Sequence, residues 1–393
     1  MQMPYLEIFR VFLRLGLTSF GGPVAHIGYF RDEFVKRRAW INDAQFGHWL
    51  AICQTLPGPA SSQLGFLIGL HRGGFLGAIL AWAGFTLPSA VALVLIALYG
   101  LAQQAAWIDP VIAGLKLVAV VVVAQAVIGM FRSLCKDTPT QLLSVVGFAL
   151  ALGLGSWFGQ IGAIAVGAVA GLVVCHRQSN STEPSGTPNH GPTRTIGSLM
   201  LALLAGLLFL LPWFATHLPV LQMFDTFFRA GALVFGGGHV VLPLLESATV
   251  VPGLVSSDDF LTGYGLAQAV PGPLFTFAAW LGALDVTLAG WAGASLALVA
   301  IFLPGLLLVV GVLPWWQSLS AMPGAFGVLA GVNASVVGVL AAAWVDPVVT
   351  TGLTSLSHVI IALIGAAMLL WRKYPVWTVV LALPLLSLLS DSI

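Results

Sequence analysis

The sequence predicts an all-α polytopic membrane protein built from two homologous repeats, inverted relative to each other, with discontinuous helices broken by Gly and Pro. Three observations carry this reading: the apolar composition, an internal duplication, and helix-breaking motifs that recur in both copies.

Of the 393 residues, 59% are hydrophobic and 7% charged, and the mean hydropathy is +0.99. A soluble domain carries about 25% charged residues, so no ordinary water-facing surface can be assembled from this chain. The lipid bilayer is the implied partner. A disordered chain is excluded by the same numbers, and a net charge of +1 without a long basic tract excludes nucleic acid as a partner. Cys53, Cys135 and Cys175 are widely separated and read as small packing residues, with neither a disulfide framework nor a metal site.

Apolar runs place spans near 5–30, 43–71, 73–100, 111–131, 140–154 and 159–175. The first contains Arg10 and Arg14 and is followed by no small-residue cleavage site, so it reads as a retained helix. Residues 176–195 are polar and rich in Ser, Thr, Pro and Gly, the composition of a flexible linker. Spans resume near 196–214, 219–245, 259–283, 286–313, 325–345, 355–371 and 375–390. The expected organisation is an N-terminal repeat over 1–175, the linker 176–195, an extra connecting span over 196–218, and a C-terminal repeat over 219–393.

The two halves align in order. Phe12, Arg14, Gly16, Phe20, Gly21 and Gly22 match Phe227, Arg229, Gly231, Phe235, Gly236 and Gly237. Farther along, Phe46, Gln54, Pro57, Gly58 and Pro59 match Phe260, Gln268, Pro271, Gly272 and Pro273, and Pro88 matches Pro304. Lys116 aligns with Asn333. A duplication of this length marks a repeated membrane unit. Arg31, Lys36, Arg37 and Arg38 follow the first span, whereas the equivalent loop holds Glu246, Asp258 and Asp259, and that charge asymmetry predicts opposite orientations. The proline-broken segments 43–71 and 259–283 are compatible with a single crossing or with turning back, and the extra span is one way to flip the second copy.

Arg14, Arg229 and Lys116 are the cations inside otherwise apolar spans, and no Asp or Glu lies comparably deep. Charge at membrane depth usually lines a bundle interior or a water-filled path, so this imbalance favours an anionic substrate. Snorkelling is the competing role, and Asp225, four residues before Arg229, is a ready structural partner. Phe20-Gly21-Gly22-Pro23 and Phe235-Gly236-Gly237-Gly238 interrupt their helices, as do the two Pro-Gly-Pro motifs. Each break exposes backbone N–H groups at the start of a half-helix, which suits an anion. Gln54 and Gln268 stand three residues before the Pro-Gly-Pro motifs, with Ser61, Ser62, Gln63 and Thr276 after them. The isolated GxxxG pairs at 73–77 and 167–171 read as close helix crossings. His26 and His239, just past the Gly-Gly breaks, are able to carry a proton, but they fall in non-equivalent alignment columns and read as packing or interfacial residues. No metal, nucleotide or cofactor motif is present in the sequence.

At these motifs the chain resembles the chromate ion transporter family in its long, two-domain form. The resemblance rests on FGGP with His26, the basic loop ending RRAW, QTLPGPASSQ and GFTLPS in the first half, and on FGGGHVVLP, QAVPGP and GVNASVVG in the second. It implies an inner-membrane carrier that exports chromate under the proton-motive force and confers chromate resistance. The implied substrate-binding positions are Arg14, Gly21, Gly22, Gln54, Pro57, Gly58, Pro59 and Lys116, with Arg229, Gly236, Gly237, Gln268, Pro271, Gly272, Pro273 and Asn333. A sulfate or molybdate permease is the nearest alternative, because those anions share charge and shape with chromate. A membrane-embedded enzyme or scaffold is more remote, since the sequence offers no acid/base cluster. Assembly is left open, a homodimer included.

Overall fold

A computed structural model describes residues 4–100, 108–154, 156–175, 188–235, 238–320, 322, 324–372 and 374–391, all in helices, turns and connecting segments. Helix α1 (Pro4–Thr18) ends at a break over Ser19–Gly21, and α2 (Gly22–Phe30) continues as a π-helical turn to Arg37. Glu7 near the start of α1 pairs with Arg38 just beyond α2, at 2.8 Å. The chain therefore enters, turns at the break and returns to the face it left.

The next segment repeats the manoeuvre. Helix α3 (Asp43–Thr55) is capped by Asn42 in a reciprocal capping box with Gln45, breaks at Leu56–Pro59, and is followed by α4 (Ala60–Leu95). Arg72 in α4 lies 3.7 Å from the same Glu7, so this limb too has come back. Of the two readings open for 43–71, turning back is the one found. The apolar run near 5–30 is likewise a hairpin, not one crossing. Only after Gly73 and Gly74, the latter at φ +64°, does α4 run on to Gly100, with 41 residues from Ala60. The GxxxG at 73–77 thus contains a true break, while Gly77 serves as a crossing point against Gly69.

Lys116 of α5 (Ile108–Leu134) pairs with Asp258 at 2.6 Å on the opposite face. Helices α6 (Thr138–Leu154) and α7 (Ser156–Val174) cross and recross. The Asn189 backbone N–H donates to His71 Nδ1 at 2.9 Å, which places the chain again on the Glu7 face. From there α8 (Arg194–Ala215) crosses to the Asp258 face, exposing Leu199, Leu203, Phe209 and Trp213 on its outer side.

The second repeat therefore starts on the opposite face. Helix α9 (Pro219–Ala232) runs inward, the segment from Gly238 through α10 (Val241–Leu245) to Val250 returns, α11 (Ser257–Ala269) runs inward, and the segment from Leu274 through α12 (Phe277–Leu284) returns. Helix α13 (Gly290–Val312) then crosses to the Glu7 face, where Gly311 packs against Leu201 near the start of α8. After α14 (Trp316–Ser320) come α15 (Ala325–Ala343), α16 (Thr350–Gly352), α17 (Leu356–Ala366) and α18 (Val376–Asp391). The repeats are inverted, as the loop charges predict.

Matched glycines hold each repeat together. A Cβ on Gly16 would lie 2.7 Å from the Phe85 carbonyl oxygen, and one on Gly231 would collide with the Ile301 carbonyl. Gly69 against Gly77 recurs as Gly282 against Gly293. Such close backbone approach is how helices associate where lipid removes the hydrophobic drive. The terminal helix pairs are exchanged: α6 and α7 pack on α15 of the other repeat, with Gly147 against Ser335, while α17 and α18 pack on α5, with Gly114 against Pro384. Aromatic cores fill both halves, around Phe12, Phe30, Phe34 and Phe85 in one and Phe227, Phe260, Phe277 and Trp280 in the other.

Charge is segregated between the faces. Among the described residues, the loops and helix ends of the Glu7 face carry Arg31, Lys36, Arg37, Arg38, Arg72, Arg132, Lys136, Arg194 and Arg372, which outnumber the acids there, Glu7, Asp32, Glu33, Asp43 and Asp137. Those of the Asp258 face carry Asp109, Glu246, Asp258, Asp259, Asp285, Asp346 and Asp391, with Lys116 as the counter-charge.

Candidate functional site

The tips of the hairpins meet inside the bundle. Gly58 N–H donates to the Val234 carbonyl at 2.7 Å, and Gly272 N–H donates to the Ser19 carbonyl at 3.0 Å. Each bond joins the second hairpin of one repeat to the first hairpin of the other, so the pair is related by the same inverted symmetry as the repeats. Gly58 has φ +120° and Gly272 φ +116°, a region that residues with a Cβ rarely enter. Space is equally demanding. A Cβ on Gly58 would lie 3.0 Å from Gly305 Cα, and one on Gly272 would lie 2.7 Å from Ser89 Oγ. Each Pro-Gly-Pro tip therefore seats beside the proline, Pro304 or Pro88, of the opposite repeat's long helix. Gln63 Nε2 fastens one seat by donating to Pro57 O at 3.0 Å and to Gly305 O at 2.9 Å.

Beside these bonds lies a cavity of about 10 Å³, lined by Gly21, Gly22 and Pro23 from the first repeat and by His239, Gln268 and Gly272 from the second. Helix α2 begins there without a side-chain cap and with Pro23 in its first turn. The return limbs at Ala60 and Leu274 also start without side-chain caps. Uncapped helix starts present N–H groups and partial positive charge. The carbonyl ends of the inward limbs are engaged: Ser19 O and Val234 O accept the crossing bonds, and Leu56 N and Val270 N close back on Ile52 O and Leu266 O. The uncapped N–H groups give the cavity the polarity an anion needs, although Gln63 Oε1 at the neighbouring tip is a buried acceptor without a partner.

Gln268 Nε2 is a further donor. It is buried and makes no hydrogen bond of acceptable geometry, although the Tyr264 hydroxyl is a neighbour. His239 Nδ1 lies 2.9 Å from Tyr264 Oη. A cavity this size holds about one water, so a tetrahedral oxyanion enters only if the tips part.

The structure distributes the sequence-predicted residues unevenly. Gly21, Gly22, Gln268 and Gly272 line the cavity, and Pro57, Gly58, Pro59, Pro271 and Pro273 shape the adjoining tips. Gln54 is exposed on α3, and Asn333 is partly buried on α15. Gly236 and Gly237 lie outside the described residues. Lys116 is engaged with Asp258 at the face. Arg14 is exposed on the outer side of α1, with no ion pair among the described residues. Arg229 is held by both oxygens of Asp225 at 2.8 Å and donates to Leu208 O of α8 at 2.6 Å. The arginines are thus not brought together in this conformation. Asp225 aligns with Arg10, so the first repeat has two cations where the second has a neutralised pair covered by α8.

Three side chains at the site lie outside the implied binding set: Gln63, which the sequence offers only as a polar neighbour of the first Pro-Gly-Pro motif, His239, and Tyr264, which nothing in the sequence singles out. His26 differs from His239, being buried between Ser19 O at 3.2 Å and Ser61 Oγ at 3.4 Å, where it supports the tip as a packing residue.

Residues 6–175 and 221–388 match the family model described as Chromate transporter. A "Probable chromate transport protein" of Synechococcus elongatus is 29% identical over 372 residues, covering 93% of this chain and 90% of that protein. A "Chromate transport protein" of Cupriavidus metallidurans is 27% identical over 383 residues, covering 93% and 88%. An "Uncharacterized transporter MJ0718" of Methanocaldococcus jannaschii is 24% identical over 381 residues, covering 96% and 92%. No solved structure matches the chain.

Proposed function

Because the chain belongs to the chromate transporter family, we propose that it is a secondary carrier that moves chromate out of the cell and thereby confers chromate resistance. The observation that supports this reading best is the cavity where the crossed hairpin tips meet, bordered by the uncapped start of α2 and the unpaired Gln268 Nε2. A doubly charged oxyanion would sit between the start of α2, Gln268 Nε2 and the Gly272 tip. Residues 1–175 and 219–393 would act as the two moving repeats, with 176–195 as linker and 196–218 as the connecting span that inverts the second. Alternating access would come from parting the tips first toward one face and then toward the other.

Positive charge marks the cytoplasmic side, so the Glu7 face is assigned to the cytoplasm of the plasma membrane. The inside-negative potential, one component of the proton-motive force, would then expel the dianion. At about 2.3 kcal/mol per charge per 100 mV, two charges contribute about 4.6 kcal/mol. The test is chromate flux into proteoliposomes under an imposed potassium-diffusion potential. Flux that rises with potential supports the reading, and absence of flux at any potential overturns it. Sulfate or molybdate competing as well as chromate would replace a chromate exporter with a general oxyanion permease.

A further inference from the structure

Among the described residues lining the cavity at the hairpin tips, His239 is the one whose side chain can take up a proton to become a cation. Its Nδ1 meets Tyr264 Oη at 2.9 Å, and its ring is partly accessible where it borders the cavity. A tyrosine hydroxyl both donates and accepts. It donates to Nδ1 of the neutral ring and accepts from Nδ1–H of the cation, so the ring gains or loses a proton without moving its partner. Nε2 is the nitrogen left for the cavity.

The surroundings make that proton the main variable charge. Helix α2 contributes His26, already engaged with Ser19 O and Ser61 Oγ. Helix α11 contributes Tyr264, with Asp258 and Asp259 a full helix length away at the outer face. On the limb that follows His239, Glu246 lies seven residues on, toward the same outer face. The Leu274–Thr276 turn and α15 carry no titratable residue; α18, whose Val376 lines the cavity, has Asp391 at its far end and the exposed Arg372 and Tyr374 just before its start. Every other donor at the cavity is a neutral amide, so protonating His239 takes the lining from neutral to a single positive charge.

We propose that His239 is the proton-binding residue of the anion cavity, so that a proton and an oxyanion dianion bind there together. This rests on reading the cavity as the substrate site. Linkage is reciprocal: the factor by which the proton tightens the anion is the factor by which the anion tightens the proton. When the proton travels with the anion, the bound pair carries one negative charge fewer than the free dianion, which eases its passage through the low-dielectric interior and leaves the potential half as much to contribute as it gives the dianion alone.

Chromate binding to purified protein, measured by tryptophan quenching between pH 6 and 8, tests this. Wild type and His239→Gln are compared at each pH, so that the anion's own protonation cancels. The wild-type advantage is expected to grow at least about fivefold toward the acid end, the lower end of typical coupling between two bound ligands. A ratio that stays constant with pH overturns the proposal. Wild type that binds no chromate at any pH overturns the substrate reading instead. If His239→Gln does not fold, Tyr264→Phe preserves shape and removes the Oη contact: a shifted pH midpoint supports the assignment, and an unchanged midpoint overturns it.

Discussion

Replacing Gly58 by Ala tests the crossed-tip geometry most sharply. The new Cβ must adopt φ +120°, at a strain of about 1–3 kcal/mol. It also lies 2.9 Å from Gln63 Nε2 and 3.0 Å from Gly305 Cα. The glutamine can swing away, but only by giving up its bonds to Pro57 O and Gly305 O, each worth about 0.5–1.5 kcal/mol. The Gly305 backbone moves only if α13 moves. The sum is about 2–6 kcal/mol, a large part of the 5–15 kcal/mol that typically holds a fold. Gly272→Ala carries the same φ strain, yet its nearest neighbour, Ser89 Oγ at 2.7 Å, is a rotatable hydroxyl. Both variants should unfold earlier in detergent, Gly58→Ala by more, when denaturation is followed by tryptophan fluorescence. Losses under about 0.5 kcal/mol, the range of a neutral surface change, or a larger loss for Gly272→Ala, would refute this packing of the tips.

The two arginines should separate. Arg229→Ala leaves Asp225 without its partner and frees α8, and thermal unfolding should register about 1–2 kcal/mol, between the values for exposed and buried pairs. Arg14→Ala should leave stability within about 0.5 kcal/mol while lowering chromate flux, because Arg14 is exposed at depth without an ion partner among the described residues. Lys116→Gln should cost only about 0.2–1 kcal/mol, and the difference from wild type should shrink in high salt, since its partner Asp258 is 67% exposed. Burial alone would push the Glu33 carboxyl up, but hydrogen bonds and charge from Arg38 and Arg37 override it and hold it below the usual carboxylate range. Its contribution is therefore present above the unfolded-state value of about 4.3 and lost as pH falls through the lower folded value. Acid unfolding of Glu33→Gln should lack that component.

Much of the architecture was legible because the duplication is written in helix breakers, which local chemistry forces into the same places twice. The inversion was legible from Arg31, Lys36, Arg37 and Arg38 set against Glu246, Asp258 and Asp259. The turning back of 5–30 was not, because an apolar run of that length satisfies one crossing as well as two short limbs. The deciding contacts, Arg38 and Arg72 with Glu7, are non-local. The break at Gly73–Gly74 was hidden inside a continuous apolar stretch with no proline to flag it. At the candidate site, Gly21, Gly22, Gln268 and Gly272 could be found by recurrence. His239 stood out only as a histidine beside a Gly-Gly break that is able to carry a proton, since its partner Tyr264 is 25 residues away on another limb and the first repeat has no matching histidine in that column. The i−4 spacing of Asp225 and Arg229 did signal the pairing that holds α8. Exchange of the terminal helix pairs left no mark in either repeat, because hydropathy is blind to which neighbour covers a given face.

Whether the inverted tips form the anion pathway is decided by chromate flux in proteoliposomes at fixed potential, comparing wild type with Gln268→Leu. Leucine matches the glutamine in bulk and removes the unpaired Nε2 donor from the cavity. If the tips are the pathway, the variant folds with at least wild-type stability and its chromate flux falls at least tenfold, the size expected for about 1.4 kcal/mol lost from one charge-assisted hydrogen bond. Undiminished flux through a folded Gln268→Leu variant would place the pathway elsewhere.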